Sequence, residues 1–206
     1  IAWVRSQKAV APDRPFFLYY APGATHAPHQ PKAEWIAKYK GQFDRGWDKV
    51  REETLARQKK LGLLPENTQL TPRPEGIAAW YSLKPEEQQL YAHMMEIYAG
   101  YLSQTDDNVG RVLEAIDKLG QLDNTLVIYI CGDNGASAEG GVFGTFNELT
   151  HLNGIDESFE TVLSRQGDLG KWNSNNHYPM GWAHAMDAPF QWTKQIASHY
   201  GGTRNG

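Results

Sequence analysis

The stretch LVIYICGDNG, residues 126–135, decides the fold class, because a short apolar run in it ends abruptly in a turn. Five consecutive apolar residues, 126–130, are typical of a strand that is covered on both faces of a sheet. The following residues, 131–135, are rich in types that favour turns. A second run of the same kind, FFLYY, occupies residues 16–20. Both runs predict strands of a parallel sheet.

A long helix is predicted between the two runs. Apolar side chains recur at steps of three and four, which places them on one face of a helix that Gly120 ends. The positions are Leu90, Met94, Tyr98, Tyr101, Val109, Val112, Ile116 and Leu119. The order strand, helix, strand is typical of α/β proteins with right-handed crossovers. We therefore predict an α/β sandwich, with a mostly parallel central sheet flanked by helices and a surface excursion at about 40–85.

The composition excludes several classes of protein. With 40% hydrophobic and 21% charged residues, the chain is expected to fold rather than to be disordered. A formal net charge of −4 gives no basic field for nucleic acid, so no nucleic-acid partner is expected. No apolar run approaches the roughly 18 residues of a membrane span. The single cysteine, Cys131, excludes an internal disulfide, and we expect it to be buried at the end of a strand.

Polar residues with useful chemistry follow both predicted strands. Thr25 and His26 come soon after the first run, and Asp133 and Asn134 come soon after the second. The carboxyl ends of parallel strands meet at one edge of a sheet, so we expect these residues to share a cleft. A carboxylate and an amide oxygen suit Ca²⁺ or Mg²⁺. The alternative is that the Asp-Asn-Gly sequence only forms a turn.

His26 is a candidate general acid or base, because an imidazole titrates near neutral pH. The alternative is a histidine that only caps its loop. His29 is not expected to complete a metal pair with His26, since Pro28 keeps the two rings off a common helical face. Asp106 and Asp107 are interpreted as the solvated flank of the long helix.

The segment at residues 130–136 resembles the metal-ligand motif of the type I, formylglycine-dependent sulfatases and arylsulfatases of the alkaline phosphatase superfamily. Residues 15–29 and 101–120 resemble the histidine loop and the helix of that family, and residues 181–205 are similar to a bacterial arylsulfatase subgroup. The matches keep their order along nearly the whole chain. The resemblance implies an alkaline-phosphatase-like sandwich and sulfate-ester hydrolysis.

Four residues take roles by this resemblance. It implies that Asp133 and Asn134 coordinate Ca²⁺ (or Mg²⁺). It also implies that His26 contacts the sulfate ester and donates a proton to the leaving alcohol. Lys194, which precedes the Gly201-Gly202 pair, is implied to contact a sulfate oxygen.

The family's nucleophile is a formylglycine made from the cysteine or serine of a Cys/Ser-x-Pro-x-Arg motif, and residues 1–206 contain no such motif. The resemblance implies that a hydrated formylglycine attacks sulfur, that the alcohol leaves, and that the sulfate is then eliminated. We therefore expect residues 1–206 to be the central fragment of one catalytic domain. The nucleophile segment, the paired aspartates of the metal site and a C-terminal part are expected outside it.

Several further expectations depend on that resemblance. The partners are a small-molecule sulfate ester and the formylglycine-generating maturation system, and the fragment alone is expected to be inactive. The alternatives are a phosphodiesterase or phosphonate hydrolase of the same superfamily, or an inactive truncated relic that binds sulfate esters. The bacterial cytoplasm and the periplasm or exterior both stay open as locations.

Overall fold

The structure is a computed structural model that describes residues 1–132 and 134–204. Its helices in chain order are α1 (Ala2–Val10), α2 (Ala33–Ala37), α3 (Gly46–Lys60), α4 (Pro85–Asp117), α5 (Glu148–Leu152), α6 (Phe159–Ser164), α7 (Met180–Met186) and α8 (Tyr200–Thr203). Short 3₁₀ turns lie at Trp80–Ser82, Leu122–Asn124 and Gln166–Asp168.

Helix α4 is the predicted long helix, and it organises the fold. Pro85 is its first residue, a position that tolerates the missing N–H, and Gly120 follows its end with a positive φ of +64°. Its apolar face is buried around Leu90, Met94 and Ile97. None of the helices in the described ranges is both long and apolar enough to cross a membrane, α4 included.

An aromatic cluster forms the centre of the core. Trp47 on α3 packs edge-on against Trp80, with ring centroids 4.8 Å apart, and Trp182 on α7 lies 5.6 Å from Trp80. Each indole N–H donates to a backbone carbonyl oxygen. The indole of Trp182, for example, donates to the carbonyl of Tyr91 at 2.8 Å. Such satisfied indoles can be buried without loss of a hydrogen bond. The range 40–85, predicted as a surface excursion, thus contributes Trp47 and Trp80 to the core.

The predicted sheet is not observed in the described residues. Residues 16–20 and 126–130 form no β-ladder, and the bridges found elsewhere, Thr145 with His177 and Asn147 with Asn175, are isolated. Phe17 is 85% and Ile128 73% exposed. A parallel strand needs hydrogen-bonded neighbours and cover on both faces, and the described residues supply neither to these runs.

The prediction that Cys131 is buried is also wrong, because the cysteine is exposed. Burial was expected from its place at the end of a covered strand. Residues 126–130, which precede Cys131, are themselves exposed, so no packed strand buries the cysteine.

Candidate functional site

His26 lies in an exposed loop that α4 holds in place. The hydroxyls of Thr25 and Tyr98 are hydrogen-bonded at 3.2 Å, which ties the loop to the middle of the helix. His26 Nδ1 lies 3.0 Å from the carbonyl oxygen of Ala27, so that nitrogen donates and Nε2 is left for other partners. The ring is thus oriented by its own backbone.

Lys194 reaches the same place from the other end of the chain. Its Nζ lies 3.3 Å from Nε2 of His26 and 2.9 Å from Oε2 of Glu139. Its backbone N–H donates to the carbonyl of Ala136 at 3.0 Å. The loop that follows the second apolar run therefore positions this lysine.

Glu139 is held by several donors. The Ser137 hydroxyl donates to Oε2 at 2.7 Å, and Nε2 of Gln195 donates to Oε1 at 2.8 Å. Partial burial alone would raise the pKa of this carboxyl, but the hydrogen bonds from Ser137 and Lys194 and the charge of Lys194 lower the pKa below its ordinary value. Glu139 is therefore a fixed anion beside Lys194.

Glu148 is a second carboxylate at the site. It is the first residue of α5 and only 4% exposed, and its Oε2 is buried with no hydrogen-bond partner among the described residues. Burial raises its pKa and Glu139 adds to the effect, while the charges of His26 and Lys194 oppose it. One donor atom from each of His26, Glu139 and Glu148 lies within 4.8 Å of the other two.

Two buried histidines lie beside this cluster. His29 and His177 have ring centroids 5.1 Å apart, and Tyr178 stacks on His29 at 5.4 Å. Burial lowers the pKa of His177 to about 4, and burial with the charges of His177 and His26 lowers that of His29. Both rings are therefore neutral at pH 7, and they contribute no positive charge to the site.

The predicted metal ligands are only partly described. Asp133 lies outside the described residues, and Asn134 is exposed in the next position of the loop. Gly135 fixes the loop against α8, because its N–H donates to Gly202 and a Cβ on it would lie 1.6 Å from the oxygen of Gly201. The ligand roles of Asp133 and Asn134 stay predictions.

Asp106 and Asp107, expected on the solvated flank of α4, are exposed. With Trp35 and Tyr129 they line an open cavity of about 600 Å³. His26 and Lys194 do not line that cavity, so the cavity is not the candidate substrate site around them.

The comparison with known families decides what kind of protein contains this cluster. The sequence model of the Sulfatase family matches residues 2–205. The chain belongs to the sulfatase family. An uncharacterized sulfatase of Schizosaccharomyces pombe is 37% identical over 189 residues, which are 90% of this chain and 32% of that protein. An arylsulfatase of Klebsiella aerogenes is 31% identical over 202 residues, which are 98% of this chain and 40% of that protein. The chain thus spans less than half the length of these relatives.

The sequence pattern indicated no role for Glu139, Glu148 or His177. Glu139 follows the Asp133-Asn134 pair by a few residues, and that proximity was the available signal. Glu148 and His177 sit in a segment rich in Gly, Asn and Trp whose periodicity indicates no site. Only the packing of α5 brings Glu148 next to His26.

Proposed function

We propose that this chain supplies the leaving-group side of the active site of an arylsulfatase-type hydrolase, which cleaves sulfate monoesters to an alcohol or phenol and sulfate. The observation that carries the proposal is the 3.3 Å distance between Nζ of Lys194 and Nε2 of His26. An ammonium and an imidazole at this spacing can contact neighbouring oxygens of one sulfate group. Membership of the sulfatase family supports this choice of anion.

Lys194 would meet the negative charge of the sulfate oxygens. A fixed cation in a site that holds little water stabilises charge that develops in the transition state. Glu139 holds the ammonium at 2.9 Å, and the lysine side chain is only 21% exposed. The cation is therefore in place before the substrate arrives.

His26 would donate the proton that the leaving oxygen needs. Its Nδ1–H donates to the carbonyl of Ala27, so the ring must be in its imidazolium form to carry a transferable proton on Nε2, with Lys194 turned from Nε2 to the sulfate. General acid catalysis of this kind contributes about 10²–10⁴-fold. The exposed position of His26 leaves room for the alcohol group of the ester.

A divalent cation would be held by Asp133 and Asn134. Their carboxylate and amide oxygens are donors that Ca²⁺ (or Mg²⁺) prefers, so the donor chemistry fits. The ion would supply positive charge to the sulfate oxygens. Lys194 is linked to that loop through its hydrogen bond to Ala136, which would keep the lysine and the ion on one substrate.

The nucleophile would come from a formylglycine outside residues 1–206, made by a maturation system. The relatives are two to three times as long as the matched segment, which leaves room for such a motif. The exposed apolar runs at 16–20 and 126–130 would then pair with strands of the longer protein. On this proposal, residues 1–206 alone do not hydrolyse sulfate esters.

The test measures 4-nitrophenol release from 4-nitrophenyl sulfate. We expect no turnover by residues 1–206, and turnover by the full natural protein that contains them when it is co-expressed with a maturation enzyme. Preference of that protein for bis(4-nitrophenyl) phosphate would instead indicate a phosphodiesterase. Turnover by residues 1–206 that Cys131→Ser abolishes would contradict the assignment of the nucleophile.

A further inference from the structure

Three donor groups from separate parts of the chain converge beside Lys194. His26 belongs to the loop that packs on α4, Glu139 to the loop before α5, and Glu148 to the first turn of α5. Their donor atoms all lie within 4.8 Å of one another. One imidazole and two carboxylates at this spacing are a common ligand set for transition metals.

The ammonium of Lys194 already contacts two members of this set, His26 and Glu139. The ammonium of Lys194 is bonded both to Oε2 of Glu139 and to Nε2 of His26. Two of the three donor groups thus already bind a positive charge.

Glu148 supplies an independent observation. Its side chain belongs to a residue only 4% exposed, and its Oε2 has no partner among the residues that the structure describes. A buried oxygen without a partner is costly, and a bound ion would satisfy it. The lysine satisfies Glu139 but makes no hydrogen bond to Glu148.

We propose that His26, Glu139 and Glu148 form a Zn²⁺ site, with ligands other than the predicted calcium ligands Asp133 and Asn134. An imidazole nitrogen favours Zn²⁺ over Ca²⁺ or Mg²⁺, which prefer oxygen ligands. Bonds of about 2.0–2.2 Å in tetrahedral geometry put ligand atoms roughly 3.4 Å apart, so donor atoms within 4.8 Å of one another need to approach by at most about 1.4 Å. Three protein ligands leave the fourth position open to water or an anion.

Zn²⁺ and the Lys194 ammonium compete for the same side chains, His26 and Glu139. Nε2 of His26 and Oε2 of Glu139 are the atoms that the lysine uses, so the ion must displace it. The lysine is therefore a built-in competitor of the metal. If the proposed function holds, Zn²⁺ bound here also removes both His26 and Lys194 from the substrate.

The experiment titrates Zn²⁺ into residues 1–206 by calorimetry, with Co²⁺ absorption as a second readout of geometry. We expect one ion per chain. His26→Ala and Glu148→Gln should each weaken binding at least about tenfold, and Lys194→Met should strengthen it. Circular dichroism checks that each variant is folded.

Two controls separate this site from others. His93→Ala removes a histidine of α4 that is paired with Glu96 rather than with the cluster, and it should leave Zn²⁺ binding unchanged. Glu114→Gln removes an exposed carboxylate of α4 that is paired with Lys118, and it should also leave Zn²⁺ binding unchanged.

The inference is overturned by a lack of Zn²⁺ binding in the folded wild-type chain. It is also overturned if His93→Ala weakens binding as much as His26→Ala, or if Lys194→Met weakens it. None of these results depends on sulfatase turnover. An active sulfatase whose chain binds no Zn²⁺ would refute this site alone, whereas Zn²⁺ binding without sulfatase activity would refute only the proposed function.

Discussion

Replacing Gly46 with alanine tests the packing of the aromatic core, and Gly62 provides a matched control. Both glycines have positive φ, +78° and +72°, so alanine costs about 1–2 kcal/mol at either position. Their surroundings differ. A Cβ on Gly46 would lie 2.0 Å from Cγ of the buried Trp80, whereas a Cβ on Gly62 meets nothing within 4 Å. Overpacking costs about 1–3 kcal/mol, which is the expected excess loss in Gly46→Ala.

Urea denaturation followed by tryptophan fluorescence measures both free energies of unfolding. In thermal unfolding the excess corresponds to about 2–4 °C of Tm for each kcal/mol in a chain of this size. Equal losses in Gly46→Ala and Gly62→Ala would show that Trp80 does not pack against residue 46. The role given to the aromatic cluster would then be refuted.

Two further predictions concern charge. Glu139→Gln should lower the free energy of unfolding by about 1–3 kcal/mol, because it removes a charged partner of the partly buried Lys194. Glu114→Gln, in a solvent-screened ion pair with Lys118, should lower it much less, and urea denaturation compares the two variants. Burial raises the pKa of Asp187 to about 7, against the opposing effects of a hydrogen bond from Ala136 and the charge of Arg51. The folded chain therefore holds this proton more tightly than the unfolded chain, and the stability that it contributes below about pH 4 is lost as the pH rises through about 7. Asp187→Asn should accordingly raise Tm relative to wild type at pH 8 and not at pH 4; an equal difference at both pH values would contradict the shift.

Local patterns predicted the helices better than the sheet. The periodicity from Leu90 onward reflects contacts within a few residues along the chain, so α4 could be predicted, with Gly120 just past its last residue, Asp117. A parallel strand depends on distant partners. The runs at 16–20 and 126–130 have strand composition but no ladder in the described structure, so composition alone overstated the sheet.

The candidate site was predictable only in part. His26 and Lys194 are 168 residues apart in the sequence, and family resemblance, not spacing, suggested that they work together. The proximity of Glu139 and Glu148 to His26 is a feature of the tertiary structure alone. Tertiary contacts of this kind leave no local period in a sequence.

The leaving-group dependence of His26→Ala tests the central claim most directly. In the full natural protein, hydrolysis of phenyl sulfate needs a proton on the departing oxygen far more than hydrolysis of 4-nitrophenyl sulfate does. We predict that His26→Ala lowers kcat/KM for phenyl sulfate by about 10²–10⁴-fold, and for 4-nitrophenyl sulfate much less. Lys194→Ala should lower both by a similar factor, because it acts on the sulfate group. Equal losses for the two esters in His26→Ala would contradict the account, since His26 would then not be the proton donor.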